Sequence, residues 1–193
     1  HGRGGALAWS AVSMEPDLFA GLVTISSPHP RTLHRVGLHV TFKTWRHVLT
    51  SAFTPISGRS LAREKVVRQL LKEWSAPGND GATSQAGIYT QAINLPGAAK
   101  IAISQLRWTW SAQRTPSGRT YLRESANSVR IPVLAIRGEA DPLLPDRAWD
   151  KDLEFATGPY HRVRVADAGH FVAEEQPDIT TKLLLDFLQG IES

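Results

Sequence analysis

Short apolar runs predict three buried strands along the chain. The runs LVTIS (22–26), VLAIR (133–137) and HRVRVAD (161–167) are rich in β-branched residues and are bounded by Gly, Pro or Asp. This pattern is typical of buried strands. Because helix-like segments separate the runs, we expect the strands to pair in parallel.

Two helices flank the predicted strands. The spacing of Ala, Leu, Trp and Val in GGALAWSAVSMEP predicts a packed helix that ends near Pro16. Near the C-terminus, Pro177 is placed to start a helix. Five apolar residues fall on one face of that helix: Leu183, Leu184, Phe187, Leu188 and Ile191.

A long segment between the first two strands has a different character. It contains three candidate helices, VTFKTWRHVLTSAF, LAREKVVRQLLKEW and PGAAKIAISQLRWTWSAQ, and we expect loops at SAPGNDGATS and RTPSGRT. Strand–helix alternation that is interrupted and then resumed indicates an α/β fold with an inserted helical lid. We therefore divide the chain into a first core segment (1–30), a lid (31–128) and the remaining core (129–193).

Three strands make an incomplete parallel sheet. Parallel sheets are normally larger and covered on both faces, and the first strand here would be an unpaired edge. We therefore expect this chain to be a fragment of a longer fold, or a truncated product, and do not expect His1 to be a natural start.

Composition excludes several functional classes. With 41% hydrophobic and 21% charged residues, the chain has the composition of a globular protein. The net charge is +4, but the basic residues are scattered, which argues against nucleic-acid binding. No apolar run is long enough for a membrane span and no signal peptide is visible, so we expect a cytoplasmic protein. Without cysteine there is no disulfide and no thiol nucleophile.

An acid and a histidine follow the last two predicted strands. Asp141 lies in GEADPLLP (138–145), and His170 lies in ADAGHFVAEEQP (166–177). Sites form at the carboxyl ends of strands in open α/β sheets. There, an aspartate can orient an imidazole that acts as a general base. The alternative is that Asp141 starts a turn with Pro142 and His170 packs or caps.

The opening stretch HGRGG (1–5) matches a nucleophile elbow if a glycine precedes it. An elbow is a sharp strand-to-helix turn of the form Gly-x-nucleophile-x-Gly, and Gly2 would then hold the nucleophile position. The order nucleophile, Asp, His along the chain is that of α/β-hydrolases.

With the stretches SSPHP (26–30), PGAAKIAISQLRW (96–108), RGEADP (137–142) and AGHFVAEEQP (168–177), the chain resembles the actinobacterial-type members of the epoxide hydrolase family, from the elbow to the C-terminus. The resemblance implies an α/β-hydrolase fold and a two-step reaction. An aspartate nucleophile attacks the epoxide while lid tyrosines protonate the leaving oxygen. His170, oriented by Asp141, then activates water to release a diol.

The chain departs from that family where the chemistry begins. Gly2 has no side chain with which to attack, and Arg3 replaces the usual tryptophan beside it. Gln105 and Leu106 stand where the resemblance predicts paired tyrosines. Tyr89 and Trp108, with Arg3, are the remaining candidate substrate-binding residues, although packing roles are the alternative for Tyr89 and Trp108. We therefore expect no epoxide hydrolysis by the chain as it stands.

The expected partner is a small apolar epoxide-type substrate, with no cofactor and no metal. Among the seven histidines, the spacing His34-x-x-x-x-His39 in the predicted lid is the candidate ligand pair, and we expect no metal site there. A homo-oligomer is left open. Two other functions are also open: a serine-esterase-type hydrolase and a non-catalytic relative that binds a ligand under its lid. A haloalkane dehalogenase is disfavoured because Arg3 removes the tryptophan that would bind halide.

Overall fold

A computed structural model describes residues 1–32 and 63–192. The core begins with α1 (Gly2–Met14), a 3₁₀ turn at Pro16–Leu18, and β1 (Leu22–Ile25). After the helical insert come β2 (Val133–Gly138) and β3 (Tyr160–Val165). All three predicted strands are therefore present, and α1 ends just before Pro16, as its sequence predicts. The prediction that the third strand is buried is wrong, because β3 exposes His161, Arg162 and Arg164.

The described strands form one parallel sheet in the order β1-β2-β3. Leu22 pairs with Val133 and Ile25 with Ile136, and β3 continues the register with Val133 opposite Tyr160. Every residue of the central strand β2 is buried. The sheet topology confirms the α/β fold class that the sequence predicts.

Helices cover both faces of this sheet. On one face, Trp9 and Val12 of α1 pack with Leu22 and Val133. On the other face, Leu134 and Ile136 pack with Leu183 and Phe187 of the last helix, which begins at Pro177. Alternate residues of β2 thus face opposite sides of the sheet, which explains the continuous apolar run 133–136.

Helices of the insert were only partly predicted. The described part contains α2 (Glu64–Trp74), α3 (Gly81–Ser84), α4 (Ala86–Ile93), α5 (Ala98–Ser111), a 3₁₀ turn at Ala112–Arg114, and α6 (Pro116–Glu124). The last two predicted helices are present as α2 and α5. The predicted helix VTFKTWRHVLTSAF lies outside the described residues. The limits of the lid stay a prediction.

Two predicted loops are wrong, because both contain helix. RTPSGRT contains the start of α6, where the Thr115 hydroxyl accepts a hydrogen bond from the Gly118 N–H and Pro116 occupies the first turn. Proline is favoured at that position because its missing N–H would have no partner in the helix. The stretch SAPGNDGATS likewise ends in α3.

Short helices and the last long helix complete the core. These are α7 (Arg147–Asp150) with a 3₁₀ turn at Asp152–Glu154, α8 (Val172–Glu175) and α9 (Pro177–Glu192). Helix α8 is the next element after β3, and the loop between them carries His170. Leu188, which the sequence pattern places on the apolar face of α9, is 53% exposed. Among the described residues, no helix is long and apolar enough to cross a membrane.

Candidate active site

Asp141 and His170 meet at the carboxyl ends of β2 and β3. His170 Nδ1 lies 3.0 Å from Asp141 Oδ2, and the two side chains are only 12% and 1% exposed. The other Asp141 oxygen accepts a hydrogen bond from the Leu143 N–H at 2.8 Å. A carboxylate can only accept, so this contact assigns the imidazole proton to Nδ1. Nε2 is then left with a lone pair that can take a proton.

Main-chain packing holds the two loops together. The Ala140 N–H donates to the Ala168 carbonyl at 2.9 Å. A Cβ at Gly138 would collide with the carbonyl oxygens of Ala168 and Gly169. Glycine at position 138 is what allows the Asp141 loop and the His170 loop to approach this closely.

His170 Nε2 faces the start of α1. Gly2 has φ +51°, in the left-handed region, and a Cβ built there would lie 3.7 Å from His170 Nε2, with no other described residue within 4 Å apart from the chain neighbours and α1's own backbone. A second close approach occurs at Gly5, where a Cβ would lie 2.5 Å from the Ser27 Cβ. A helix start with a left-handed residue and closely packed small residues matches the helix side of a nucleophile elbow. The structure thus brings Gly2, Asp141 and His170 together.

The other three candidate residues have different surroundings. Arg3 is exposed on α1. Trp108 is 38% exposed, and its ring packs edge-on against Tyr121 with centroids 4.9 Å apart. Tyr121 in turn shares a 2.7 Å hydrogen bond with Ser10 of α1. These contacts favour the packing alternative for Trp108.

Tyr89 lies on the side of the insert that meets the His170 loop. Its hydroxyl donates a hydrogen bond to Glu174, and its ring packs in a cluster with Leu71 and Phe171. Burial, and then the Glu174 carboxylate, raises the pKa of Tyr89 above its usual value. A phenol with a raised pKa is a weaker proton donor. Tyr89 also lines a cavity of about 160 Å³ with Val67, Leu70, Leu71 and Ile93.

Sequence reasoning missed two residues that support His170, Trp74 of the insert and Glu175 of the core. The His170 N–H donates to the Trp74 carbonyl at 2.7 Å, and the Trp74 ring lies edge-on to the imidazole at 5.9 Å. Glu175, which is 6% exposed, accepts hydrogen bonds from the backbone on both sides of His170. Glu175 lies within AGHFVAEEQP, a stretch that carries the family resemblance, but the sequence assigns it no role. Nothing in the sequence marks Trp74.

A second histidine and aspartate are buried away from this site. His29 is fully buried and its ring stacks on Phe155 at 3.9 Å. Its backbone N–H, rather than its ring, donates to Asp152 Oδ1 at 2.9 Å. The Tyr160 hydroxyl donates to the other Asp152 oxygen at 3.1 Å. Burial lowers the pKa of His29 to about 4 and raises the pKa of Asp152 to about 7.

Within residues 1–32 and 63–192, no group of three or more His, Asp or Glu side chains is placed to hold a metal ion. His34 and His39 lie outside the described residues.

Comparison with known proteins gives the same picture as the geometry. The alpha/beta hydrolase fold family matches residues 1–177. Epoxide hydrolase A of Mycobacterium tuberculosis (strain ATCC 25618 / H37Rv) is 38% identical over 68 residues, which are 35% of this chain and 21% of that protein. Human epoxide hydrolase 4 is 23% identical over 197 residues, covering 98% of this chain and 52% of the human protein.

A solved structure shows the same fold. Epoxide hydrolase A from Mycobacterium thermoresistibile superposes with a TM-score of 0.66 at 20% identity, over 96% of this chain and 66% of that chain. The chain thus spans about half to two thirds of the length of those relatives that match it throughout.

The chain belongs to the alpha/beta hydrolase fold family, since the family match extends over most of its length. Proteins named epoxide hydrolases stand among its relatives in sequence. The comparisons thus confirm the resemblance to epoxide hydrolases of the alpha/beta hydrolase fold that the sequence motifs indicate.

Proposed function

We propose that this chain carries an epoxide-hydrolase-like site that retains its general base and lacks its covalent nucleophile. One observation carries the proposal: His170 Nε2, oriented by Asp141, faces the Cβ position of Gly2 at 3.7 Å. A side chain at residue 2 would therefore project toward the base. With glycine there, the chain binds a small apolar epoxide-type molecule without forming a covalent intermediate.

The missing step defines what the site would do with a carboxylate at residue 2. One carboxylate oxygen attacks an epoxide carbon, the carbon–oxygen bond of the ring breaks, and the alkoxide takes a proton from a solvent water molecule. His170 Nε2 then removes a proton from water, which attacks the carbonyl carbon of the enzyme ester. Release of the diol regenerates the carboxylate, and the imidazolium returns its proton.

The test is to restore the nucleophile with Gly2→Asp. Asp and Asn are the side chains that best tolerate a left-handed backbone, so Gly2→Asn is a matched control with the same shape and no anionic oxygen. Given a small aryl epoxide, Gly2→Asp is expected to form diol, whereas the original chain and Gly2→Asn form none above the background without protein.

The double variant Gly2→Asp/His170→Ala separates the two steps. Without the base, the ester is expected to accumulate, and intact-mass measurement should show the protein heavier by one substrate molecule. If a folded Gly2→Asp forms neither diol nor adduct, the proposed function is wrong. If the original chain itself forms diol in a His170-dependent way, the proposed loss of turnover is wrong.

A serine-esterase-type site is the second candidate, because the same Nε2 position would also activate a hydroxyl at residue 2. Gly2→Ser tests it with a nitrophenyl ester and a burst of nitrophenolate as readout. Activity of Gly2→Ser without activity of Gly2→Asp would favour this candidate. A purely ligand-binding relative would bind the epoxide, with neither variant turning it over.

A further inference from the structure

Glu175 accepts three backbone hydrogen bonds in the interior of the protein. Its Oε2 accepts from the Ala76 N–H at 2.6 Å and from the Gly169 N–H at 2.8 Å. Its Oε1 accepts from the Phe171 N–H at 3.0 Å. The residue is 6% exposed. Hydrogen bonds from N–H groups to a buried carboxylate are among the strong ones in proteins.

Two of these three donors flank the base, so every N–H of the Gly169–Phe171 tripeptide is held. Glu175 takes the N–H groups of Gly169 and Phe171, and the Trp74 carbonyl takes that of His170. The tripeptide therefore has no free N–H with which to rearrange. The backbone of this tripeptide therefore fixes the direction in which the His170 side chain projects.

The third donor belongs to the helical insert. Trp74 is the last residue of α2, and Ala76 follows two residues later. A Cβ at Gly169 would lie 2.5 Å from the Trp74 carbonyl oxygen and 2.6 Å from the Ala76 nitrogen. Asn79 adds two contacts, because its side-chain amide donates to the carbonyls of Asp167 at 2.9 Å and Glu175 at 3.1 Å.

Helix capping alone does not account for Glu175. Helix α8 has four residues and Phe171 at its N-cap, so a capping side chain would need only the Phe171 N–H. The bonds to Gly169 and Ala76 lie outside α8. They join a loop of the core to a segment 99 residues earlier in the chain.

We propose that Glu175 is a positioning residue that fixes His170 toward Asp141 and Gly2 and ties the end of α2 to the same loop. The assignment of His170 as the base rests on the proposed function above. The positioning itself has a readout that needs no turnover.

The chemistry of the three donors gives a residue-specific prediction for Glu175→Gln. A glutamine has one acceptor oxygen and one NH₂ group. If its oxygen keeps the two donors at the Oε2 position, the NH₂ group faces the Phe171 N–H and that bond is lost. We expect the Phe171 amide to exchange with solvent about tenfold faster or more. We also expect the hydrogen-bonded Nδ1 proton of His170 to broaden or disappear in the NMR spectrum.

Glu174→Gln is the matched control. It changes the neighbouring carboxylate, which bonds Tyr89 and none of the three backbone donors. We expect the Phe171 exchange rate and the His170 Nδ1 signal to stay as in the unmodified chain. If Glu174→Gln disturbs them as much as Glu175→Gln, or if a folded Glu175→Gln leaves both unchanged, the positioning role is wrong.

The unmodified chain supplies a test that needs no variant to fold. If Glu175 clamps the loop, the amides of Gly169 and Phe171 must exchange as slowly as those of β2, although they lie outside any strand. Exchange at the rate of an open loop would overturn the proposal. In the Gly2→Asp background, Glu175→Gln is further expected to lower kcat more than it changes KM. If Gly2→Asp does not turn over, the proposed function is contradicted. The positioning role of Glu175 is then tested by the amide exchange rates alone.

Discussion

Two histidines of this chain follow parallel strands and contact aspartates, yet their environments differ in kind. His170 presents its ring to Asp141 and leaves Nε2 facing Gly2. His29 presents only its backbone N–H to Asp152, while its ring is stacked on Phe155 and closed off from solvent. The first arrangement can move a proton. The second fills space and satisfies a buried carboxylate.

The difference shows that a histidine and an aspartate in contact do not by themselves define a base. What matters is which atoms of the histidine are engaged and what the remaining ring nitrogen faces. At His29, burial lowers the pKa to about 4, so the ring stays neutral near pH 7. His170 keeps partial exposure at 12%.

The largest expected effect separates the two aspartates. In the Gly2→Asp background, Asp141→Asn would offer an amide NH₂ to His170 Nδ1 and favour the wrong tautomer. Diol formation should fall about 10³- to 10⁴-fold, as for comparable triads. Asp152→Asn should leave the rate within a few-fold, measured by product formation on protein of verified fold. Equal losses in both variants would remove the functional distinction between the two pairs.

The next largest effect is on stability, where we expect the loss of His29 to matter more than the loss of His170. His29→Ala removes a fully buried ring that contacts Trp9 and Phe155, and should lower the free energy of unfolding by about 3 kcal/mol. His170→Ala should cost about 1 kcal/mol, because this ring is partly exposed. Urea unfolding measures both. A His170→Ala variant that is the less stable of the two would contradict the comparison.

The pH dependence of stability sharpens the role of Asp152. Burial raises its pKa from the usual 3.8 to about 7, so between pH 4 and 7 the folded state binds this proton more readily than the unfolded state. Asp152 therefore stabilises the fold at low pH and loses that contribution as the pH rises. Subtracting the stability of Asp152→Asn from that of the unmodified chain should give a difference that falls by about 3 kcal/mol from pH 4 to 7.

His29 acts in the opposite direction over nearly the same range. Its pKa is lowered from 6.5 to about 4, so between these values the unfolded state binds the proton more readily and stability rises with pH. In Asp152→Asn, this rise should be seen without the opposing contribution. A stability that decreases with pH in that variant would show that another group dominates.

The smallest expected effect probes one hydroxyl. Tyr160→Phe removes the hydrogen bond to Asp152 Oδ2 and keeps the ring, which packs beside Trp149. We expect a loss of about 1 kcal/mol in unfolding free energy. The same substitution at Tyr121 removes its contact with Ser10, outside the buried pair, and gives a size-matched control. A loss at Tyr160 no larger than at Tyr121 would show that Asp152 does not need this donor.

Local sequence patterns predicted the parts of the fold and site that depend on neighbours along the chain. The β-branched runs predicted the three strands, although only β2 is buried throughout and β3 exposes His161, Arg162 and Arg164. Asp141 and His170 were predictable as a pair because each follows a strand of the same sheet. The roles assigned to both residues stay predictions until turnover is measured.

Long-range contacts were beyond such patterns. Glu175 gains its role from a donor 99 residues away, and Trp74 meets His170 only through the fold. Helix α6 was mistaken for a loop because Pro116 and Gly118 resemble turn residues. The Thr115 cap that decides between helix and turn is a contact of one hydroxyl with one N–H.

The close approach at Gly138 has a consequence for redesigning this protein. Because a Cβ there would meet the carbonyls of two residues in the neighbouring loop, neither loop can be lengthened or given a bulkier residue at the crossing without moving the other. A redesign of this protein would leave residues 138–141 and 168–170 unchanged. Diversity would then be introduced along α2 and α4, where Val67, Leu70 and Ile93 border a cavity and do not hold the two loops together.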